Sequence, residues 1–455
     1  MATDVLLQLL EELPDPSFVQ GRTKLVERFA IALPNGDVGA LDDSMFVPWL
    51  LEHSEDAPFG HGDETKRDKK IRNAKRLRDR GGAQIAGFDP AAILPAIEAA
   101  LSPRVHLDAR LEDVIVYPKG GKFARHKDTP RTPELVGTLV VGLPIAHDGG
   151  AFEIIDGGTR HVVDWSGTPD AGAVKWVALF SDLDHAIAPV TSGARVTLVY
   201  SLSRSSRARE DASRDKRLSK LRAEVGEIMV SKSEPLMIAC TRQIVTDGTQ
   251  PQRIDTLRGT DREIADVFSE AGFAVAVRAC LITGDEDDGA RTSTFPQQAW
   301  GITRLAKAIP GTVIDGMDDL VSFGDSVEAD EYDTDPDEAT LLGEYVLDMV
   351  GMERVLVRKR AAATVIYEGL FSETGYFGNE ASIGLIYTLA ALEVTPAEST
   401  AKRAVKAATT KTTTKTKTTA KTATKTKTKT KTKTKTKTKA TAKTKAKPSA
   451  KAKRR

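Results

Sequence analysis

The stretch Tyr117 to Arg131, YPKGGKFARHKDTPR, decides how this chain is read, together with a second stretch from His185 to Leu202, HAIAPVTSGARVTLVYSL. Successive side chains of a β-strand point to opposite faces, so residues two apart share a face. On that spacing His126 and Asp128 present an imidazole and a carboxylate side by side. His185, from a distant strand, adds a second imidazole. Two histidines and one carboxylate are the donor set that holds Fe(II) while leaving coordination positions open.

His-x-Asp is a weak signal alone, because His106 and Asp108 repeat it. A fixed cation discriminates. An iron oxygenase that chelates 2-oxoglutarate through its keto acid end needs a grip on the distal carboxylate, and the planar fork of arginine suits that task. Arg195 lies ten residues after His185, whereas the same spacing from His147 and His161 reaches Gly157 and Ala171. Thr197 shares a strand face with Arg195 and can add a hydroxyl contact. His126, Asp128, His185 and Arg195 therefore form one jointly supported catalytic constellation.

Around these residues the hydrophobic period is two. Seven short runs between Val105 and Leu202 (LEDVIVY, VGTLVVGL, AFEIID, RHVVDW, VKWVALF, HAIAPV and ARVTLVYSL) are separated by Gly, Pro and Asp without intervening helices. That pattern predicts an antiparallel sandwich or rolled double sheet. The first hundred residues are expected to be mainly helical: a helix capped by Thr3 or Asp4 through Leu13, one around MFVPWLLEH, a basic one from Asp63 to Arg80, and one from Asp89 to Leu101. After Ser203 the pattern mixes. A charged helix from Arg204 to Val230 precedes the strand PLMIAC, a helix from Thr260 to Ala271 and the strand FAVAVRACLI. GDEDDG and DSVEADEYDTDPDE are expected to be solvated loops, and RVLVRKR and ATVIYEG further strands. The expected organisation is a helical region 1–102, a β-core 103–204, a mixed α+β region 205–397 and a tail 398–455.

The formal charge of +1 hides a split. Residues 401–455 carry 22 of the 65 Lys and Arg and no Asp or Glu, which leaves 43 basic against 64 acidic residues before them. This Lys/Thr-rich tail has almost no large apolar residue to offset its ordering entropy, so disorder is expected. Its charge density predicts binding to nucleic acid or another polyanion. Two cysteines, Cys240 and Cys280, are too few for a disulfide framework. The acidic N-terminus and the absence of an 18-residue apolar run predict a soluble cytoplasmic protein with no membrane segment, able to sit on nucleic acid in a nucleoid or nucleus.

These residues resemble the Fe(II)- and 2-oxoglutarate-dependent dioxygenases, in particular the prolyl-4-hydroxylase-like branch. The family pattern is Tyr, Gly, an aromatic, His-x-Asp, a Gly-Gly strand start, then His and a basic residue ten positions later. It is matched by Tyr117, Gly120 or Gly121, Phe123, His126, Asp128, Gly149-Gly150, His185 and Arg195. The likeness covers about Leu111 to Leu202. It implies an α+β protein with a double-stranded β-helix (jelly-roll) core and flanking helices. It also implies iron on His126, Asp128 and His185, 2-oxoglutarate held by Tyr117 and Arg195, O₂ as co-substrate and ascorbate as an auxiliary reductant. The implied reaction hydroxylates a protein or peptide side chain and yields succinate and CO₂, with demethylation as its close relative. Arg195 departs from the Lys of many prolyl hydroxylases. The phrases APFGHGDET, HKDTPR, LRGTDREIADVFSEAG and GYFGNE are similar to recurring segments of large bacterial and fungal members. A different reading is a nucleic-acid-associated binding protein with a catalytically silent β-core. A cupin-type barrel is disfavoured because it ordinarily places more histidines on the first motif.

Overall fold

The period-two runs form strands, and their neighbours on both sides add more. The computed structural model describes residues 2–61, 64–78, 82–129, 131–170, 172–209, 212–229, 236–246, 253–283, 298–307, 345–352, 355–356, 358, 360, 386–388 and 390–396. The N-terminal part supplies α1 (Ala2–Glu11), β1 (Phe18–Lys24), β2 (Ala30–Ala32), β3 (Val38–Ala40), α2 (Phe46–Glu52), β4 (Ser54–Asp56), β5 (Phe59–His61), β6 (Glu64–Lys66), β7 (Arg72–Asn73), β8 (Lys75–Leu77), β9 (Gln84–Ala86) and α3 (Leu94–Leu101). The centre supplies β10 (Val105–Pro118), β11 (Lys122–His126), β12 (Leu135–Gly142), β13 (His147–Gly149), β14 (Phe152–Asp156), β15 (Thr159–Val163), β16 (Ala173–Phe180), β17 (Asp184–Ile187) and β18 (Val190–Ala208). Then come α4 (Ala212–Met229), β19 (Leu236–Ala239), β20 (Ile244–Thr246), α5 (Gly259–Glu270), β21 (Phe273–Thr283), β22 (Gln298–Lys307), β23 (Tyr345–Met352), β24 (Val355–Leu356), β25 (Ile386–Thr388) and β26 (Ala390–Pro396).

An eight-stranded sheet runs β1-β16-β12-β18-β10-β8-β4, with β13 added on β18, and a five-stranded sheet runs β15-β14-β17-β11-β7. Every pairing within them is antiparallel. One hydrophobic core draws on both: Leu139, Val177 and Leu198 from the larger sheet, and Phe123, Phe152 and Ile187 from the smaller. Burial of each such side chain is worth ~1.5–3 kcal/mol, which is what holds the sheets together. Strand β12 is buried at every position, as a central strand covered on both faces must be.

A second core gathers Leu6 and Leu10 of α1, Leu218 and Leu221 of α4, Ile264 and Phe268 of α5, and Ile238, Leu392 and Val394 of the C-terminal sheet β23-β22-β21-β26-β19-β24. Residues Met1–Thr400 form one compact unit. No helix among the described residues is long and apolar enough to cross a membrane.

Several expectations need correction. Residues 1–102 are not mainly helical: they contribute nine strands, and β1 joins the main sheet by pairing with β16. Within residues 1–102, α1 packs into the second core and β1, β4 and β8 belong to the first sheet. The basic stretch from Asp63 to Arg80 is not a helix over its described residues, 64–78, which carry β6, β7 and β8. Its apolar Ala74 and Leu77 are buried beside β10, and three of its basic side chains are used locally. Lys75 pairs with Asp56 at 2.7 Å, Arg76 with Glu55 at 2.9 Å, and Arg72 donates to the Pro58 carbonyl at 2.7 Å. Helices α1, α2, α4 and α5 and strands β19 and β21 lie where the periodicity puts them, while Arg204–Ala208 continues β18. GDEDDG, DSVEADEYDTDPDE, ATVIYEG, GYFGNE and the tail lie outside the described residues.

Candidate active site

Strands β11 and β17 pair antiparallel with His126 directly opposite His185, which brings the ring centroids to 4.2 Å. Asp128 stands two residues beyond the end of β11 rather than on it. Its carboxylate still reaches the imidazoles. One ligand atom from each of His126, Asp128 and His185 lies within 4.8 Å of the other two, and all three residues are buried.

The orientation of each ring is fixed by its own strand. His126 Nδ1 is 2.9 Å from the Ala124 carbonyl and His185 Nδ1 is 3.0 Å from the Leu183 carbonyl. A carbonyl only accepts, so Nδ1 carries the hydrogen in both rings and each Nε2 offers a lone pair. His185 Nε2 is 3.9 Å from Asp128 Oδ1. The other carboxylate oxygen accepts a hydrogen bond from the buried Thr138 hydroxyl on β12. Phe123 stacks on the His126 ring at 3.6 Å and Phe152 on the His185 ring at 5.3 Å, which limits ring rotation. Burial, and next the neighbouring His185, hold the His126 imidazole well below its ordinary range, so it is neutral and free to donate its lone pair at neutral pH. Two imidazole nitrogens and one carboxylate oxygen converge, a set whose chemistry suits a divalent iron ion.

Arg195 and Tyr117 are cross-strand partners in the β10–β18 ladder. The guanidinium carbon sits 5.6 Å from the Tyr117 ring and 5.1 Å from the Trp165 ring. At 1% exposure it is the largest fully buried side chain among the described residues, and all three of its nitrogens lack a hydrogen-bond partner among them. Burial pulls its pKa down to about 10, with Tyr117 offsetting part of the effect. An unpaired buried donor costs roughly 1–3 kcal/mol and a charged one more, a cost that an anion in contact with the guanidinium would offset. It lines a cavity of about 210 Å³ with Trp165, Leu143, His147 and others. The approach of backbone to its stem requires Gly150: at φ +71° an added Cβ would lie 3.0 Å from Arg195 Cδ. Thr197 is buried two residues further along β18, opposite Ile115 and Gly142.

The competing His-x-Asp pair has an ordinary structural use. His106 Nδ1 is 3.1 Å from Glu98, and Asp108 is exposed and faces Arg207. Thr138, His147 and Trp165 were not singled out by sequence; the one signal available was Thr138 as the sole hydroxyl in the apolar run VGTLVVGL. Nor was the anchoring of the metal loop. Lys127, between the first two triad residues, is buried and donates to Gln243 Oε1 at 3.2 Å. Gln243 in turn donates its backbone N–H to Asp182, which also pairs with Arg258 at 3.2 Å. Asp261, of the LRGTDREI phrase, accepts from the backbone N–H groups of Thr241 and Arg242 and from Arg358. Arg131 pairs with Glu112 at 2.6 Å.

No family model and no curated protein matches the chain. Among solved structures, a 2OG-Fe(II) oxygenase family oxidoreductase from Burkholderia pseudomallei aligns at 18% identity over 45% of this chain and 92% of its own, with a TM-score of 0.24. A prolyl-4-hydroxylase from Pseudomonas putida aligns at 18% identity over 44% and 99%, with a TM-score of 0.27. A prolyl hydroxylase from Trichoplax adhaerens, in complex with a hypoxia inducible factor peptide fragment, aligns at 13% identity over 45% and 90%, with a TM-score of 0.26. At these scores the residues themselves carry the assignment of the site.

Proposed function

We propose that this chain is an Fe(II)- and 2-oxoglutarate-dependent dioxygenase with a double-stranded β-helix core, hydroxylating a protein or peptide side chain. The observation that carries the reading is the convergence of His126, Asp128 and His185, together with a buried Arg195 whose three nitrogens have no hydrogen-bond partner among the described residues. The peptide substrate rests on the likeness of the Tyr117–Arg131 and His185–Leu202 stretches to the prolyl-hydroxylase-like motifs.

His126 and His185 would hold iron through Nε2 and Asp128 through a carboxylate oxygen. Bound together, iron and 2-oxoglutarate supply the oxidising chemistry, in which O₂ and the keto acid give succinate, CO₂ and a hydroxylated product. The remaining tasks belong to the chain. Thr138 holds the Asp128 carboxylate in one orientation by donating to it. Arg195 would take the distal carboxylate of 2-oxoglutarate, with Tyr117 and Thr197 beside it on the β10–β18 ladder. Phe123 and Phe152 exclude water from the imidazoles.

The test is succinate release from 2-oxoglutarate by the purified full chain with Fe(II) and proline-containing peptides. His126→Ala is expected to abolish both iron binding and succinate release, and Arg195→Ala to raise the KM for 2-oxoglutarate by one to several powers of ten. Unchanged iron binding in His126→Ala, with no succinate from the native chain, would overturn the reading.

A further inference from the structure

Arg195 shares its cavity with a second buried polar side chain. His147 lies on β13, fixed against β18 by pairing with Gly193, and the Gly167 N–H donates to its carbonyl at 2.9 Å. The side chain is 6% exposed. Its Nδ1 is 2.9 Å from the Ile145 carbonyl, so Nδ1 carries the hydrogen and the neutral ring presents Nε2 as a lone pair. That Nε2 is buried and has no hydrogen-bond partner among the described residues, and the same is true of Nε and both terminal nitrogens of Arg195. Both residues line the cavity of about 210 Å³, whose other walls include Trp165, Leu143 and Pro144.

A carboxylate entering this cavity satisfies Arg195 but meets a lone pair on Nε2. The conflict disappears when Nε2 takes a proton and becomes a donor. The charged groups around the ring are Arg195 on β18, which opposes protonation, and Asp148 and Asp164, which favour it. At the cavity's exposed rim, Arg22 of β1 is paired with Asp170, and Lys175 lies on β16. Burial dominates and keeps the ring's pKa below its ordinary value before any ligand enters. An added negative charge reverses that balance.

We propose that His147 is the second anchor of the distal carboxylate of 2-oxoglutarate, and that its Nε2 takes up one proton from solvent as the carboxylate binds between it and Arg195. This rests on the reading of Arg195 as the co-substrate anchor. No bond other than N–H forms, and the proton comes from the buffer. Where the free ring is neutral and the occupied ring protonated, affinity falls tenfold for each unit rise in pH.

The experiment is calorimetric titration of 2-oxoglutarate into the Mn(II)-loaded full chain, in buffers of different ionisation enthalpy, between pH 6.5 and 8.5. The expected result is close to one proton taken up per ligand and a Kd that weakens about tenfold per pH unit. His147→Gln keeps a donor without a titratable group and is expected to abolish both. The probe 2-oxobutanoate, which lacks the distal carboxylate, is expected to bind without proton uptake. Binding of 2-oxoglutarate to the native chain with no proton uptake and a flat pH profile overturns the role of His147 and leaves the co-substrate reading standing. Failure of 2-oxoglutarate to bind a chain that does take up Mn(II) overturns both.

Discussion

Thr138 shows how much of a candidate metal site lies outside its proposed ligands. Its hydroxyl is the buried donor that holds Asp128, and outer groups of this kind typically change metal affinity 10–100-fold when lost. Thr138→Val is therefore expected to weaken metal binding by about that factor while the fold persists, and Thr138→Ser to restore it. A competition titration against a chelating dye measures both, and an unchanged affinity in the valine variant removes Thr138 from the site. The positions of the triad were legible because histidine is scarce, with only seven in the chain, and because the ten-residue step to Arg195 singles out His185. Thr138 and His147 were not legible. Their tasks depend on which strands lie beside them, and no local spacing records that.

At the level of elements, the metal loop is braced by a segment more than a hundred residues downstream. Lys127 meets Gln243, and the turn that presents Gln243 is held by Asp261 through two backbone N–H groups and Arg358. Asp261 is 1% exposed, so removing it leaves two buried N–H donors without their acceptor and takes from Arg358 the nearer of its two carboxylates, Asp15 remaining at 4.0 Å. Asp261→Ala is expected to cost ~3–5 kcal/mol in a urea unfolding titration, and Asp261→Asn less, because an amide oxygen still accepts. A loss below about 1 kcal/mol would mean that water replaces the carboxylate there. The alternating runs from Val105 to Leu202 announced their strands correctly, since burial on one face leaves a period of two. The stretch from Asp63 to Arg80 did not. Ile71, Ala74 and Leu77 are three apart, a spacing that fits a helical stripe as well as two short strands. The pairing of β8 with β10 and β4, which decides between them, is written elsewhere in the chain.

Over the whole of residues 1–400, two cores divide the work. The first carries the triad and Arg195; the second is closed by Leu6 and Leu10 of α1. Leu10→Ala opens a cavity in the second core only, and is expected to destabilise the chain by ~2–5 kcal/mol while leaving metal affinity within about twofold. Tryptophan fluorescence during denaturation measures the first quantity and metal titration the second; a parallel loss of metal binding would show that the two cores act as one. The partner of α1 could not be read from sequence, because an amphipathic helix states that it needs an apolar surface and not which one.

The placement of α1 has a consequence for biosynthesis. Its leucines share the second core with Leu392 and Val394 of β26, which are made only after nearly four hundred residues, and β1 must likewise wait for β16. Until those partners are made, the apolar face of α1 has only part of its core to enter, chiefly α4. Contacts of such long sequence separation close slowly, so the second core is expected to be completed late in folding.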